Sequence, residues 1–182
     1  MNHTLALGAL DTPVGPLLAG VTEVGVAWMN FGDSPAERAR AAGTLGLPVA
    51  GDPGRTAPVL AQLADYFAGR LEEFTLPVDW RLTSRVQGQV LGTLHETVPF
   101  GRTVTYGELG ERSGAAVPAR AIGQIMGSNP VPVIVPCHRV VATNGLGGYS
   151  GGAGLEIKRW LLTLEGALPP TLDWDPAQGP VT

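Results

Sequence analysis

The chain has 182 residues, 44% of them hydrophobic and 15% charged, which excludes extended disorder and suffices for one large or two small domains. Its single cysteine excludes an internal disulfide, and with only three scattered histidines it leaves no typical ligand set for a structural zinc. The net charge of −4 is unevenly spread: residues 1–79 carry four basic and nine acidic side chains, residues 80–165 eight and five, so a polyanion would meet the second half.

In chain order, "TLALGAL", "PLLAGVT" and "GVAWMNF" are short apolar runs separated by the turn-forming "DTPVG" and "EVG", the pattern of a small antiparallel sheet. Ser34 as N-cap and Pro35 at the first helical position open a helix over "SPAERARAAG". After a Gly/Pro-rich stretch, "VLAQLADYFAG" spaces Val59, Leu60, Leu63 and Phe67 as an amphipathic helix ending at Gly69. "FTLPVDW" returns to extended chain, and the domain boundary is placed near Trp80. "TSRVQGQVLGTLHETV" predicts a helix capped by Thr83 or Ser84 that buries Val86, Val90, Leu91 and Leu94. Thr105 and Glu108 have capping-box spacing, so a short helix should follow and stop at Gly114. A second helix is predicted from about Ala116 to Met126, with Gly127 ending it; two short helices across a tight turn form a helix-turn-helix candidate. "LEIKRWLLTLEG" predicts a last helix burying Leu155, Trp160, Leu161 and Leu164, followed by a loosely ordered Pro-rich tail.

The lone cysteine stands in "VPVIVPCHRVV", where an apolar, β-branched run meets a proline and then Cys137, His138 and Arg139. A thiolate is the reactive form of cysteine, and a nearby histidine can take its proton. Neighbours in an extended segment face opposite ways, so this pair needs a bend or a bridging water to cooperate. Most lone cysteines are merely small buried hydrophobes, and only the surrounding sequence lifts this one above that reading. Glu165 is a separate oddity: a carboxylate at a helix C-terminus opposes the macrodipole by about 0.3–1 kcal/mol unless a cation or donor offsets it.

The segment "PVPVIVPCHRVV" resembles the active-site signature of the O6-alkylguanine-DNA alkyltransferases, and the resemblance extends over most of residues 83–166 in matched order. It implies an α+β protein: a ribonuclease-H-like α/β domain at 1–80, a helical, winged-helix/helix-turn-helix-like alkyltransferase domain at 81–166, and a tail at 167–182. By the same resemblance Cys137 is the nucleophile, His138 the base acting through a water, and Glu165 the carboxylate that orients His138. Tyr106 would touch the flipped base, Asn129 would brace the hinge, Tyr149 would wall the pocket and Ser150 would donate to guanine O6. The carbonyls of Val140 and Cys137 would read the exocyclic amine, and Arg120 would enter the duplex in place of the extruded nucleotide.

The implied partner is double-stranded DNA containing O6-alkylguanine, and possibly O4-alkylthymine, bound through the minor groove by a monomer. No cofactor is implied, and the zinc that some relatives hold in the N-terminal domain has no cysteines to hold it here. Relatives with tryptophan at the nucleophile position only bind lesions, and Cys137 argues against that alternative. A Cys-His hydrolase of another fold is the second competitor, and nothing in the helix-turn-helix half suggests its oxyanion hole. The N-terminus lacks a basic leader region and no apolar run approaches the ~20 residues of a membrane span, so a soluble cytoplasmic protein is expected.

Overall fold

The computed structural model describes residues 3–149 and 154–180 and shows a mixed α+β architecture. Strands β1 (Leu5–Thr12), β2 (Gly15–Val21) and β3 (Val26–Phe31) form an antiparallel meander. Helix α1 (Pro35–Leu45) then carries the chain across to the short β4 (Val49–Ala50), which pairs parallel to β1, giving the order β3-β2-β1-β4. Gly15 has φ +100°, which the tight β1–β2 turn requires and a side chain would resist. Helix α2 (Pro53–Phe67) packs on β1 and β2 and buries Val59, Leu63, Tyr66 and Phe67.

The second half is helical. It contains α3 (Arg85–Thr97), β5 (Val104–Thr105), α4 (Tyr106–Ser113), α5 (Ala119–Gly127), a 3-10 turn at Cys137–Arg139, β6 (Val140–Val141) and α6 (Leu155–Leu164). β5 and β6 pair in parallel and tie the entry of α4 to the segment after the cysteine. Helices α3, α4 and α5 pack together, and Leu91, Leu94, Leu109 and Ile122 are fully buried. The N-termini follow their local chemistry. Ser34 with Glu37, Ser84 with Gln87, and Thr105 with Glu108 each form a reciprocal capping box. Gly114 then ends α4 in the left-handed region, as the sequence predicts.

Several expectations need correction. Helix α2 starts at Pro53, capped by Asp52, rather than near Val59; the Gly/Pro-rich stretch masks a start in which Pro53 is tolerated because its missing N–H would be an orphan. Helix α5 starts at Ala119, with Pro118 in extended conformation before it, so residues 116–118 belong to the turn. Val86 and Leu155 sit in the first turns of α3 and α6 and are exposed, because those turns project beyond the core. The tail is not loose over its described part. Trp174 packs on Trp160 with ring centroids 5.4 Å apart, the Trp160 indole donates to the Gln178 carbonyl at 2.9 Å, and Gly179 abuts Pro13.

One apolar core joins the halves: Met29, Leu63 and Phe67 share it with Val98, Ile157 and Trp160. The Met29 amide donates to the Pro130 carbonyl at 2.8 Å, fixing the sheet against the segment leading to the cysteine. Among the described residues, no helix is long and apolar enough to cross a membrane.

Candidate active site

The cysteine reaches its position through a strained connection. Val133, β-branched and fully buried, has φ +73°, a conformation such residues rarely adopt. Asn129 holds it there: its amide donates to the Val135 carbonyl at 2.9 Å and its side-chain oxygen accepts from the Val131 N–H at 3.0 Å. The Asn129 side chain thereby spans the Val131–Val135 turn. Beyond Pro136 the chain enters the 3-10 turn, the bend that an extended Cys-His pair would lack.

Cys137, His138 and Arg139 are all buried. Burial pushes the Cys137 thiol up, while the Asn129 amide, the Lys158 ammonium and the Tyr149 hydroxyl act in the opposite direction. Burial likewise raises the Tyr149 phenol, with the Cys137 sulfur adding to the effect. The thiol thus lies among groups that favour its anion but cannot fully offset desolvation.

His138 Nε2 lies 2.7 Å from Glu165 Oε1. Glu165 caps α6 and also receives a two-pronged bond from Arg139, Nε to Oε2 and Nη2 to Oε1, both at 2.9 Å. Burial works to raise the Glu165 carboxyl, but the His138 and Arg139 contacts overcome it and hold it well below the ordinary carboxylate range. An ionised carboxylate only accepts hydrogen bonds, so His138 Nε2 carries the proton that points at it. Burial keeps His138 below the usual imidazole value despite the pull of Glu165, so at neutral pH the ring is uncharged and Nδ1 is its basic atom. Nδ1 is buried and has no hydrogen-bond partner among the described residues.

Tyr106, at the start of α4, accepts a bond from the Gly148 N–H at 3.3 Å and lines a cavity of about 350 Å³ with Gly123, Met126, Cys137, Gly148 and Tyr149. Gly147 has φ +73°, and a Cβ there would come within 2.6 Å of the Tyr106 hydroxyl, so this loop can approach only as glycine. Arg120 is exposed in the first turn of α5. Its neighbours Ala119, Ala121 and Gly123 leave little side-chain bulk on that side. The Val140 carbonyl accepts from Lys158 Nζ at 2.6 Å, and the Cys137 carbonyl accepts from the Val140 N–H. Ser150 lies outside the described residues.

The structure brings Cys137, His138, Glu165, Asn129, Tyr106, Val140 and Tyr149 together and leaves Arg120 apart. Sequence reasoning missed three residues here. Lys158 is fully buried, reaches the Val140 and Gly148 carbonyls, lies over the Tyr106 ring, and is pushed down to about 8 by burial. A lysine on the buried stripe of α6, one residue after Ile157 and two before Trp160, was the available signal. Arg139 enters the sequence reading only as part of the motif, and Tyr66, which donates to Glu165 Oε1 at 2.7 Å, is not among the residues it singles out.

Comparison with known proteins shows what the chain is similar to. Residues 85–167 match the family model described as 6-O-methylguanine DNA methyltransferase, DNA binding domain. A methylated-DNA–protein-cysteine methyltransferase of Mycobacterium tuberculosis is 40% identical over 163 residues, covering 88% of this chain and 92% of the relative. One from Methanosarcina acetivorans is 35% identical over 160 residues, covering 86% and 96%. Among solved structures, Mycobacterium tuberculosis OGT in complex with DNA superposes with a TM-score of 0.74 at 36% identity, covering 89% of this chain and 93% of that one.

Proposed function

The chain belongs to the methylated-DNA–protein-cysteine methyltransferase family, and from that premise we propose that Cys137 takes an alkyl group from O6-alkylguanine in double-stranded DNA. Direct-reversal DNA repair by methyl transfer to a protein cysteine is its activity. The observation that supports Cys137 as acceptor is its place beside a buried His138–Glu165 pair, with Nδ1 of His138 left as the basic atom.

In the proposed mechanism, Glu165 and Arg139 fix the imidazole, and His138 Nδ1 accepts the thiol proton through a water. The thiolate then attacks the O6-bound alkyl carbon: an S–C bond forms and the C–O6 bond breaks. Tyr106 supports protonation of the departing purine at N3, and the proton held by His138 closes the balance. Tyr149 walls the pocket, Ser150 donates to O6, and the Cys137 and Val140 carbonyls face the exocyclic amine. A thioether is no labile ester, so the acceptor is consumed once. Apart from the bridging water, each step uses the chain's own groups.

A stacked guanine hides its alkyl carbon, so the base must be flipped out at a cost of a few kcal/mol. Arg120, in the first turn of α5, would fill the vacated stack, and the small residues around it would suit close approach to a minor-groove floor. We read residues 1–80 as a ribonuclease-H-like domain, which the β3-β2-β1-β4 order supports, and 81–166 as a winged-helix-like alkyltransferase domain. The protein would act as a monomer in the cytoplasm, where a reducing environment keeps the thiol free.

The test uses Cys137→Ser with an O6-methylguanine duplex. The variant should bind the duplex as the wild type does and restore no guanine. Restoration of guanine by the variant would assign the acceptor elsewhere.

A further inference from the structure

Glu165 Oε1 receives three donors, and one of them comes from the other half of the chain. The Tyr66 hydroxyl, on α2, donates to it at 2.7 Å, beside His138 Nε2 at 2.7 Å and Arg139 Nη2 at 2.9 Å. Given the proton relay proposed above, we propose that Tyr66 is a positioning residue of the acceptor site, holding the Glu165 carboxylate in the orientation from which it aligns His138.

A tyrosine that serves only as core filling keeps its hydroxyl near water, since burying one without a partner costs free energy. Tyr66 is fully buried, and the acceptor its hydroxyl finds is this carboxylate. The ring is fixed on three sides, with centroids 5.2 Å from Phe67, 5.3 Å from Phe74 and 6.2 Å from Phe100. Its hydroxyl is therefore preorganised, and burial with the adjacent carboxylate keeps it protonated and donating. Arg139, the other anchor, is itself pinned by Nη1 to the Val98 carbonyl at 2.8 Å. Glu165 is thus gripped from α2 on one side and from the 3-10 turn on the other. The N-terminal half reaches the Glu165 carboxylate through the Tyr66 hydroxyl.

Charged and titratable groups facing His138 are Glu165, Arg139 and Lys158; those facing Tyr66 are Glu165, Arg139 and Tyr149. Removing one donor leaves more of the Glu165 charge directed at His138, which favours the imidazolium and so delays formation of the basic Nδ1 as pH rises.

The experiment compares full-length wild type, Tyr66→Phe and Phe67→Leu. Tyr66→Phe keeps the ring stack and deletes only the hydroxyl. Phe67→Leu trims the same helix where it meets Trp160, 5.9 Å away by ring centroids. His138 is titrated by NMR, and methyl transfer from an O6-methylguanine duplex is measured against pH. Tyr66→Phe should raise the His138 titration midpoint, and should slow transfer about three- to tenfold on the acid side with a smaller loss on the alkaline side. Phe67→Leu should lower the melting temperature and move neither profile. A His138 titration in Tyr66→Phe that superposes on the wild type would overturn the proposal, as would a pH-independent loss that Phe67→Leu reproduces. Absence of transfer by the wild type would instead refute the proposed function, while the His138 titration would still decide the role of Tyr66.

Discussion

His138 owes the identity of its basic atom to what surrounds it. Enclosed and neutral, with Nε2–H committed to an ionised Glu165, it offers Nδ1 and nothing else. The same arrangement makes stability depend on pH, with a definite sign. The folded-state values of His138 and Glu165 are both depressed, so on acidification the unfolded chain takes up protons that the folded chain refuses. Stability should be complete above the ordinary histidine value near pH 6.5 and fall below it, by at most about 1.4 kcal/mol per pH unit for one proton. Glu165 adds to the fall below about pH 4.3. Denaturant titrations across this range check the expectation, and His138→Gln should flatten its upper part. Lys158 makes a second residue-scale prediction: Lys158→Ala strips the donor from the Val140 and Gly148 carbonyls and the cation from the thiol. It should cost about 1–3 kcal/mol of stability for the buried Val140 carbonyl, with water replacing the donor at the exposed Gly148, and slow transfer. Full activity of a folded Lys158→Ala protein would contradict this role. Of these residues, Glu165 was legible in advance, because a carboxylate at a helix C-terminus demands a partner. Which partners it would find was not, since Tyr66 lies 99 residues away and only the fold brings it near.

On helix α5 the buried Ile122, Ile125 and Met126 seat the helix on the core. Arg120 stands exposed in the first turn, where its proposed role in base flipping involves neither the thiol nor the alkyl carbon. Arg120→Ala should therefore slow repair of O6-methylguanine in duplex DNA far more than transfer from free O6-benzylguanine, where no base needs flipping. A mismatch opposite the lesion should partly rescue the variant. Equal losses on both substrates would show that Arg120 supports the pocket instead. The capping boxes at Ser34, Ser84 and Thr105 made the helix starts readable, because side chain and backbone there satisfy each other locally. The starts of α2 and α5 were misplaced, because proline at a helix entrance reads equally well as the end of a loop. The positive φ of Val133 left no mark in the sequence. It is imposed by the Asn129 brace, a tertiary constraint that overrides local preference.

At the scale of the molecule, the described part of the tail ties the N-terminal sheet to α6 by way of Trp174, Gln178 and Gly179, so it helps hold the helix that carries Glu165. Its Pro-rich composition suggested loose chain, yet the aromatic stack on Trp160 supplies the apolar contact that such a segment otherwise lacks. Trp174→Ala should destabilise the fold by about 1–3 kcal/mol, read as a lowered melting temperature, and leave the folded protein's transfer rate unchanged. An unaltered melting temperature would show that the strap contributes nothing. How many alkyl groups one molecule can take is read by intact-mass spectrometry of the wild type with excess O6-methylguanine duplex, followed by peptide mapping. One restored guanine and one methyl per protein are expected, with the methyl on Cys137. Repeated turnover beyond the protein concentration, or a methyl group on any other residue, would contradict Cys137 as the acceptor that is consumed once.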